Sequence, residues 1–236
     1  MAETPRPWTV LTHGTLEKLS DRVWTVAGAL PTMPLERRMT LIKRPDGRLV
    51  VHSAIALDEA SMREIEAWGE PSELVVPNGW HRLDAHAYTQ RYPKLRVYCP
   101  REAKRRVGEL VRVHGSLEDL ARDTALEVVT IDGVSNGEVV LAARDERGCA
   151  LVFNDLLFNH KHVGGAQGAV MRLLGSTGGP RVTRVARLTM VFDGSLVAKA
   201  LVELANRRGL YAAIPGHGDV IATETAQTLA TVATTM

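Results

Sequence analysis

Asp155 stands inside Leu151-Val-Phe-Asn-Asp155-Leu-Leu-Phe-Asn159, where apolar residues flank a single acid. An ionised carboxylate in such surroundings is costly unless it is paired, hydrogen-bonded or bound to a cation. Two other stretches carry residues that would answer it. One is Val76-Pro-Asn-Gly-Trp-His81, followed by Arg82-Leu-Asp84-Ala-His86. The other is Ile214-Pro-Gly-His217-Gly-Asp219. Histidine nitrogens and carboxylate oxygens together either move protons or hold a metal ion that activates water. These stretches are expected to form one site. The fold resemblance given below implies His81, Asp155 and His217 as its metal ligands, and Asp155 and Asp84 as its catalytic carboxylates. Asn78, His81, His86 and His160 are expected in the pocket. The bland alternatives are a loop-capping His81, an Asp155 that accepts from loop N–H groups, an N-capping Asp84 and a surface His86.

Elements of alternating type must position these residues. Val23–Val26 reads as a strand. Met39–Lys43 and Arg48–His52 flank Arg44-Pro-Asp-Gly47, in which Pro presets φ and Gly accepts a positive one, so the three runs make a hairpin. A helix follows, capped by Asp58 and carrying Met62, Ile65 and Trp68 on one face; Gly69 and Pro71 end it. Ser72–Val76 and Leu95–Tyr98 are strands, Ala85–Tyr92 is helical, and Pro100 opens a helix through Leu110. This alternation predicts a parallel sheet covered by helices. The second half repeats the order. Leu126–Thr130 is a strand, Glu138–Ala143 and Ala150–Phe153 form a hairpin, and Ala166–Leu174 and Ser195–Arg208 are helices, the latter with Gly209 as C-cap. Leu210–Ile214 is a last strand and Thr223–Thr234 a closing helix. Gly175-Ser-Thr-Gly-Gly-Pro180 is expected to be a flexible loop.

In this order the chain resembles the metallo-β-lactamase fold. The resemblance implies an α/β (α+β) four-layer αββα sandwich of two mixed sheets, as one domain over 1–236 with its core at about 19–221. Leu151-Val-Phe-Asn-Asp155-Leu-Leu-Phe resembles the strand that ends in a metal-bridging Asp. Ala213-Ile-Pro-Gly-His217-Gly-Asp-Val resembles the late Gly-His loop, and the Leu74–His86 stretch occupies the place of the first ligand segment. The family pattern H-x-H-x-D-H is not reproduced in any register of 78–86, and Val134 stands where the family has its middle His. The resemblance therefore implies a divergent branch with a reduced site. That site would hold Zn, or Fe or Mn, with at most one ion, or none. The activity implied is metal-dependent hydrolysis of a small ester, thioester, lactone or phosphoester. The alternative is a fold that has lost its metal and serves as a binding module.

Bulk composition narrows the partners. The 236 residues are 45% hydrophobic and 24% charged, ordinary for a globular protein, and a net charge of +2 gives little reason to expect nucleic acid or an anionic membrane. The basic run Arg101–Arg106 is expected on a solvated helix face. Cys99 and Cys149 have no motif spacing and are expected as reduced thiols. The opening Met-Ala-Glu-Thr-Pro-Arg-Pro leads into no apolar run, so no signal peptide is expected, and no stretch approaches a membrane span. A cytoplasmic protein acting on a small molecule is expected, with a homodimer admitted. Gly-x-Ser-x-Gly is absent, and Gly164-Gly-Ala-Gln-Gly168 lacks the Lys of a phosphate loop.

Overall fold

A computed structural model describes residues 5–120 and 123–236; Met1 to Thr4, the start of the stretch expected to carry no signal peptide, lie outside them. The first sheet runs through β1 (Glu17–Lys18), β2 (Val23–Ala29), β3 (Glu36–Lys43), β4 (Arg48–His52), β5 (Glu70–Val75), β6 (Arg96–Cys99) and β7 (Gly115–Ser116), neighbours in that order. It is antiparallel up to β4 and parallel from there on. The second sheet contains β8 (Leu126–Thr130), β9 (Val139–Asp145) and β10 (Gly148–Val152). The short β11 (Phe158–His160) and β12 (Gly179–Arg181) come next, then β13 (Leu210–Ile214) and β14 (His217–Gly218). β13 joins the second sheet beside β10, in parallel, while β11 lies between β12 and β14 in a small third sheet.

Helices α1 (Glu59–Trp68), α2 (Ala85–Arg91) and α3 (Lys104–Gly108) belong to the first half. Helices α4 (Gly165–Leu173), α5 (Arg184–Thr189), α6 (Gly194–Ala205) and α7 (Thr225–Ala233) belong to the second. Side chains of a strand alternate between its two faces, and here both faces are buried, so the strands read as continuous apolar runs. Leu49 and Val51 meet Met62, Ile65 and Tyr88 of the first helices, while Val50 between them meets the second sheet. On β10 the alternation repeats: Ala150 and Val152 face the first sheet, and Leu151 packs with Val197, Leu201 and Leu229 of α6 and α7. Three apolar layers thus separate four layers of structure, helix, sheet, sheet, helix, as the sandwich expectation requires.

Local chemistry sets most boundaries. Asp58 caps α1 by accepting from Ser61 N at 2.8 Å, and Thr183 and Asp193 cap α5 and α6 in the same way. Several expectations need correction. The helix from Pro100 divides into a 3-10 turn at Arg101–Ala103 and the short α3, which stops at Gly108. α6 ends at Ala205 with Asn206 as its cap, and Gly209 (φ +71°) instead makes the turn into β13. The stretch expected as a flexible loop is partly a strand: Gly179–Arg181 pairs with β11, and Pro180 is tolerated because β12 is an edge. Cys99 and Cys149 are buried and unpaired. No helix of the described residues is long and apolar enough to cross a membrane.

Candidate metal centre

Each of the three main residues arrives from a different element. Asp155 follows β10, in a turn that starts where Phe153 N bonds the Ile214 carbonyl. Asn154 and Leu156, on either side of it, both donate their backbone N–H to Oε1 of Glu138, at 3.0 and 3.2 Å. Glu138 is buried and fixes the angle at which Asp155 leaves the sheet. His81 lies in the loop after β5. There Asn78 Oδ1 accepts from Trp80 N and His81 N at 2.8 and 3.1 Å, a side-chain turn that folds the loop on itself. His217 opens β14 and is clamped to the edge of β3: Arg38 N bonds the Gly216 carbonyl and Arg38 Nε the Gly218 carbonyl, both at 2.9 Å. Gly218 (φ +92°) is required, since a Cβ there would lie 2.1 Å from the Asn159 carbonyl oxygen.

The three side chains converge. Asp155 Oδ1 is 3.0 Å from His81 Nε2 and 3.4 Å from His217 Nε2. Its other oxygen, Oδ2, accepts from Asn78 Nδ2 at 2.6 Å. His81 Nδ1 faces Ser53 Oγ at 3.1 Å. Ser53 has φ +56°, a left-handed conformation uncommon outside glycine, so the hydroxyl is held on His81 at some backbone cost. The Phe158 ring stacks on His217, centroids 4.6 Å apart. Asn78, named from the sequence as a pocket residue, is therefore the amide that orients Asp155.

These donors fit a metal ion. His217 Nδ1 lies 2.8 Å from the Glu36 carbonyl oxygen, which only accepts, so that nitrogen carries the proton. Nε2 of His217 faces Asp155 Oδ1 at 3.4 Å, and a proton or a metal ion can join that nitrogen to the carboxylate oxygen. The ligand atoms of His81, Asp155 and His217 all lie within 4.8 Å of one another. Tetrahedral ligands at about 2.1 Å from a zinc ion would stand about 3.4 Å apart. Carbonyl, hydroxyl and amide groups behind the ligands are what a metal site uses to fix tautomers and orientation.

The charges around the cluster are coupled to one another. Burial works to raise Asp155, but the facing His81 and His217 hold it well below the usual carboxylate range. Burial likewise opposes a charge on His81, and Asp155, with Glu138 behind it, outweighs burial and raises its pKa. Glu138 is pushed up to about 7, first by burial and then by the Asp155 charge. His52, at the end of β4, is driven down to about 3 by burial and then by His81.

Other expected residues are not gathered here. Asp84 is buried and turned away: its Oδ2 bonds Arg37 Nη2 and Ala56 N, so it serves as the internal counter-ion of Arg37. His86 lies on α2, outside the cluster. His160, on β11, bonds through Nδ1 to the Lys161 carbonyl and is also outside it. Neither Arg82 nor Lys161 pairs with Asp155 in place of a metal. Arg82 pairs with Glu109 at 2.8 Å and Lys161 with Asp219 at 2.8 Å. Val134 forms a β-bridge with Val191 and supplies no ligand. Glu138, Ser53 and His52 were not expected in the site. Glu138 was open to the argument used for Asp155, being an acid at the head of the apolar run Val-Val-Leu-Ala-Ala.

The cluster lies in a cleft of about 510 Å³, a size typical of small-molecule sites. Arg37, Ser176, Thr183 and Thr189 are the polar additions to its wall, which is otherwise Leu, Met, Val, Ala, Phe and the face of Trp80. A groove of about 610 Å³ between the two hairpin turns is more charged and contains none of the three residues.

No protein-family model and no curated protein matches the sequence. Solved structures do match. DIM-1 metallo-β-lactamase superposes with a TM-score of 0.61 at 13% identity, over 95% of this chain and 99% of that one. A metallo-β-lactamase from Erythrobacter litoralis gives 0.61 at 11%, over 94% and 96%. FIM-1 from Pseudomonas aeruginosa, solved in a mono-zinc form, gives 0.59 at 12%, over 97% and 98%. Layer order, sheet topology and these superpositions agree: the chain has the metallo-β-lactamase fold.

Proposed function

We propose that the protein is a metal-dependent hydrolase with a reduced site, in which His81, Asp155 and His217 hold a single ion, zinc in the first place and iron or manganese otherwise. The observation that carries this reading is the convergence of His81 Nε2, His217 Nε2 and Asp155 Oδ1, with His217 Nδ1 turned to the Glu36 carbonyl on the far side. When bound, the ion supplies Lewis acidity and lowers the pKa of water that reaches it. The chain's own residues do the rest. Asn78 holds Asp155 Oδ2 and leaves Oδ1 to the site. Ser53 and the Glu36 carbonyl set the two imidazoles. The apolar wall keeps bulk water from the bond to be cleaved. The substrate is a small ester, thioester, lactone or phosphoester.

A binding protein without metal is the second reading, favoured by Val134, which leaves the site one histidine short of the pattern it resembles. The two separate on metal content, measured by elemental mass spectrometry on protein purified without an affinity tag. About one ion per chain, lost in both Asp155→Ala and His217→Ala, is expected. A wild type that takes up no Zn²⁺, Mn²⁺ or Fe²⁺ after incubation overturns the hydrolase reading.

A further inference from the structure

A net charge of +2 conceals a segregation. From Leu156 to Phe192 the chain has five Lys and Arg and no Asp or Glu, which leaves the remainder net acidic. Lys161 reaches out of this segment to Asp219. The four arginines bond backbone carbonyls or a hydroxyl: Arg172 to Gly168, Arg181 to Gly179, Arg184 to Leu173 and Arg187 to Thr235. None of these four pairs with a carboxylate among the described residues, whereas Arg37, Arg38, Arg44 and Arg91 all do. A guanidinium carries five N–H donors, so each of the four keeps donors for an anion outside the chain.

Exposed apolar side chains gather in the same segment. Of eleven large ones exposed among the described residues, six lie between Val170 and Phe192. By their spacing Val170, Leu173 and Leu174 share one face at the end of α4. Val185 and Leu188 share one face of α5, and Phe192 follows just beyond it. The two helices are joined, since Arg184 N bonds the Leu174 carbonyl at 3.1 Å and Arg184 Nη1 the Leu173 carbonyl at 3.0 Å. Leu188 is 86% exposed, Phe192 71% and Leu173 69%. Single exposed leucines are ordinary, but a group held together in this way marks an interaction surface.

We propose that the outer face of α4 and α5 docks the protein on an anionic phospholipid bilayer. Charge complementarity selects this occupant: the arginines meet lipid phosphates, and no acid of the segment opposes them. Leu173, Leu188 and Phe192 reach past the charged layer into the boundary between headgroups and acyl chains. A second copy of the chain fits less well. A two-fold contact would set this patch against itself, cation facing cation, with no acid in the segment to answer. The protein would lie on the membrane without crossing it, since no helix of the described residues is long and apolar enough to span. The inference is independent of the hydrolase reading.

The test is co-sedimentation of the metal-free full chain with two kinds of vesicle. One is phosphatidylcholine alone, and the other is two parts phosphatidylcholine to one part phosphatidylglycerol. Partitioning to the anionic vesicles is expected to be about a hundredfold tighter at low salt, and to weaken as salt rises. In the double variant Arg184→Gln, Arg187→Gln it falls about fivefold for each arginine removed. In Leu188→Ser, Phe192→Ser it falls about tenfold. All four residues lie outside the candidate metal centre, and both variants should keep the wild-type unfolding midpoint. Excess soluble glycerophosphoglycerol should leave the protein on the vesicles; displacement would show a headgroup pocket and overturn the docking surface. A wild type that stays in solution, binds both vesicles equally, or binds as tightly in both variants as in wild type also overturns it. So does a dimer, seen by analytical ultracentrifugation and dissolved by Leu188→Ser, Phe192→Ser, in protein that ignores vesicles.

Discussion

Asp84 in the first half is fully buried, Asp155 in the second half stands at the cleft, and the chain neutralises them differently. Asp84 has a guanidinium, Arg37, on one oxygen together with a backbone N–H. Deeper in the first half, Arg44 joins Glu73 at 2.6 Å and Asp123 at 2.7 Å. Asp155 instead faces two imidazoles and an amide, and Glu138 behind it faces only backbone N–H groups. The permanent cations close their sites, since an arginine cannot give up its charge. Imidazoles are neutral or charged as conditions demand, so the place beside Asp155 stays open to the exchangeable cation proposed above. A buried acid therefore marks a functional site only when its partners are not permanent cations.

This contrast can be broken from either side. The largest stability loss is expected for Asp84→Ala, which strands Arg37 and costs about 3–5 kcal/mol; urea unfolding should show the same loss with and without chelator. Asp155→Asn should reverse the pattern. Metal-free stability changes by about 1 kcal/mol or less, while the stabilisation added by metal, about 2.7 kcal/mol at a hundredfold excess over Kd, disappears. An Asp155→Asn protein that still gains stability from Zn²⁺ would remove the distinction.

Glu138 sharpens it through pH. Its folded pKa, about 7, lies above the ordinary 4.5, so the folded state binds the proton more tightly. That contribution is complete below about pH 4.5 and is lost as pH rises through 7. Metal-free wild type should lose roughly 3 kcal/mol from this group between pH 5 and 8. Glu138→Gln, which keeps an acceptor for Asn154 and Leu156, should lack that slope in parallel urea titrations; parallel slopes would contradict the assignment. The smallest effect is expected for His160→Ala, whose ring bonds the neighbouring Lys161 carbonyl: within about 0.5 kcal/mol of wild type, with metal content unchanged.

Much of this was legible in the sequence because burial leaves a signature. Leu151-Val-Phe and Leu49-Val-Val announce strands covered on both faces, and an acid set into the first of them announces a need for partners. His81 and His217 were found as the histidines of loops following strands. What escaped depends on pairings distant in the chain. Asp84 reads as catalytic beside two histidines until Arg37, 47 residues away, is seen on it. Ser53 and the Glu36 carbonyl act through backbone position, which no residue type encodes. β11, β12 and β14 have two or three residues each, too few for a period to show. Glu138 carries the same signature as Asp155, an acid beside an apolar run, but its place at the start of a hairpin strand disguises it.

The clamp on His217 bears on how the molecule assembles. Its imidazole is fixed by a carbonyl 181 residues earlier in the chain, and His81 meets Asp155 across 74 residues. Closing such long loops is entropically costly and falls late in folding. The ligand set does not exist in either half alone, so a partly folded chain offers an ion scattered donors but no site. On the proposed reading, metal affinity would report completion of the fold, and a bound ion would slow global unfolding rather than secure one loop.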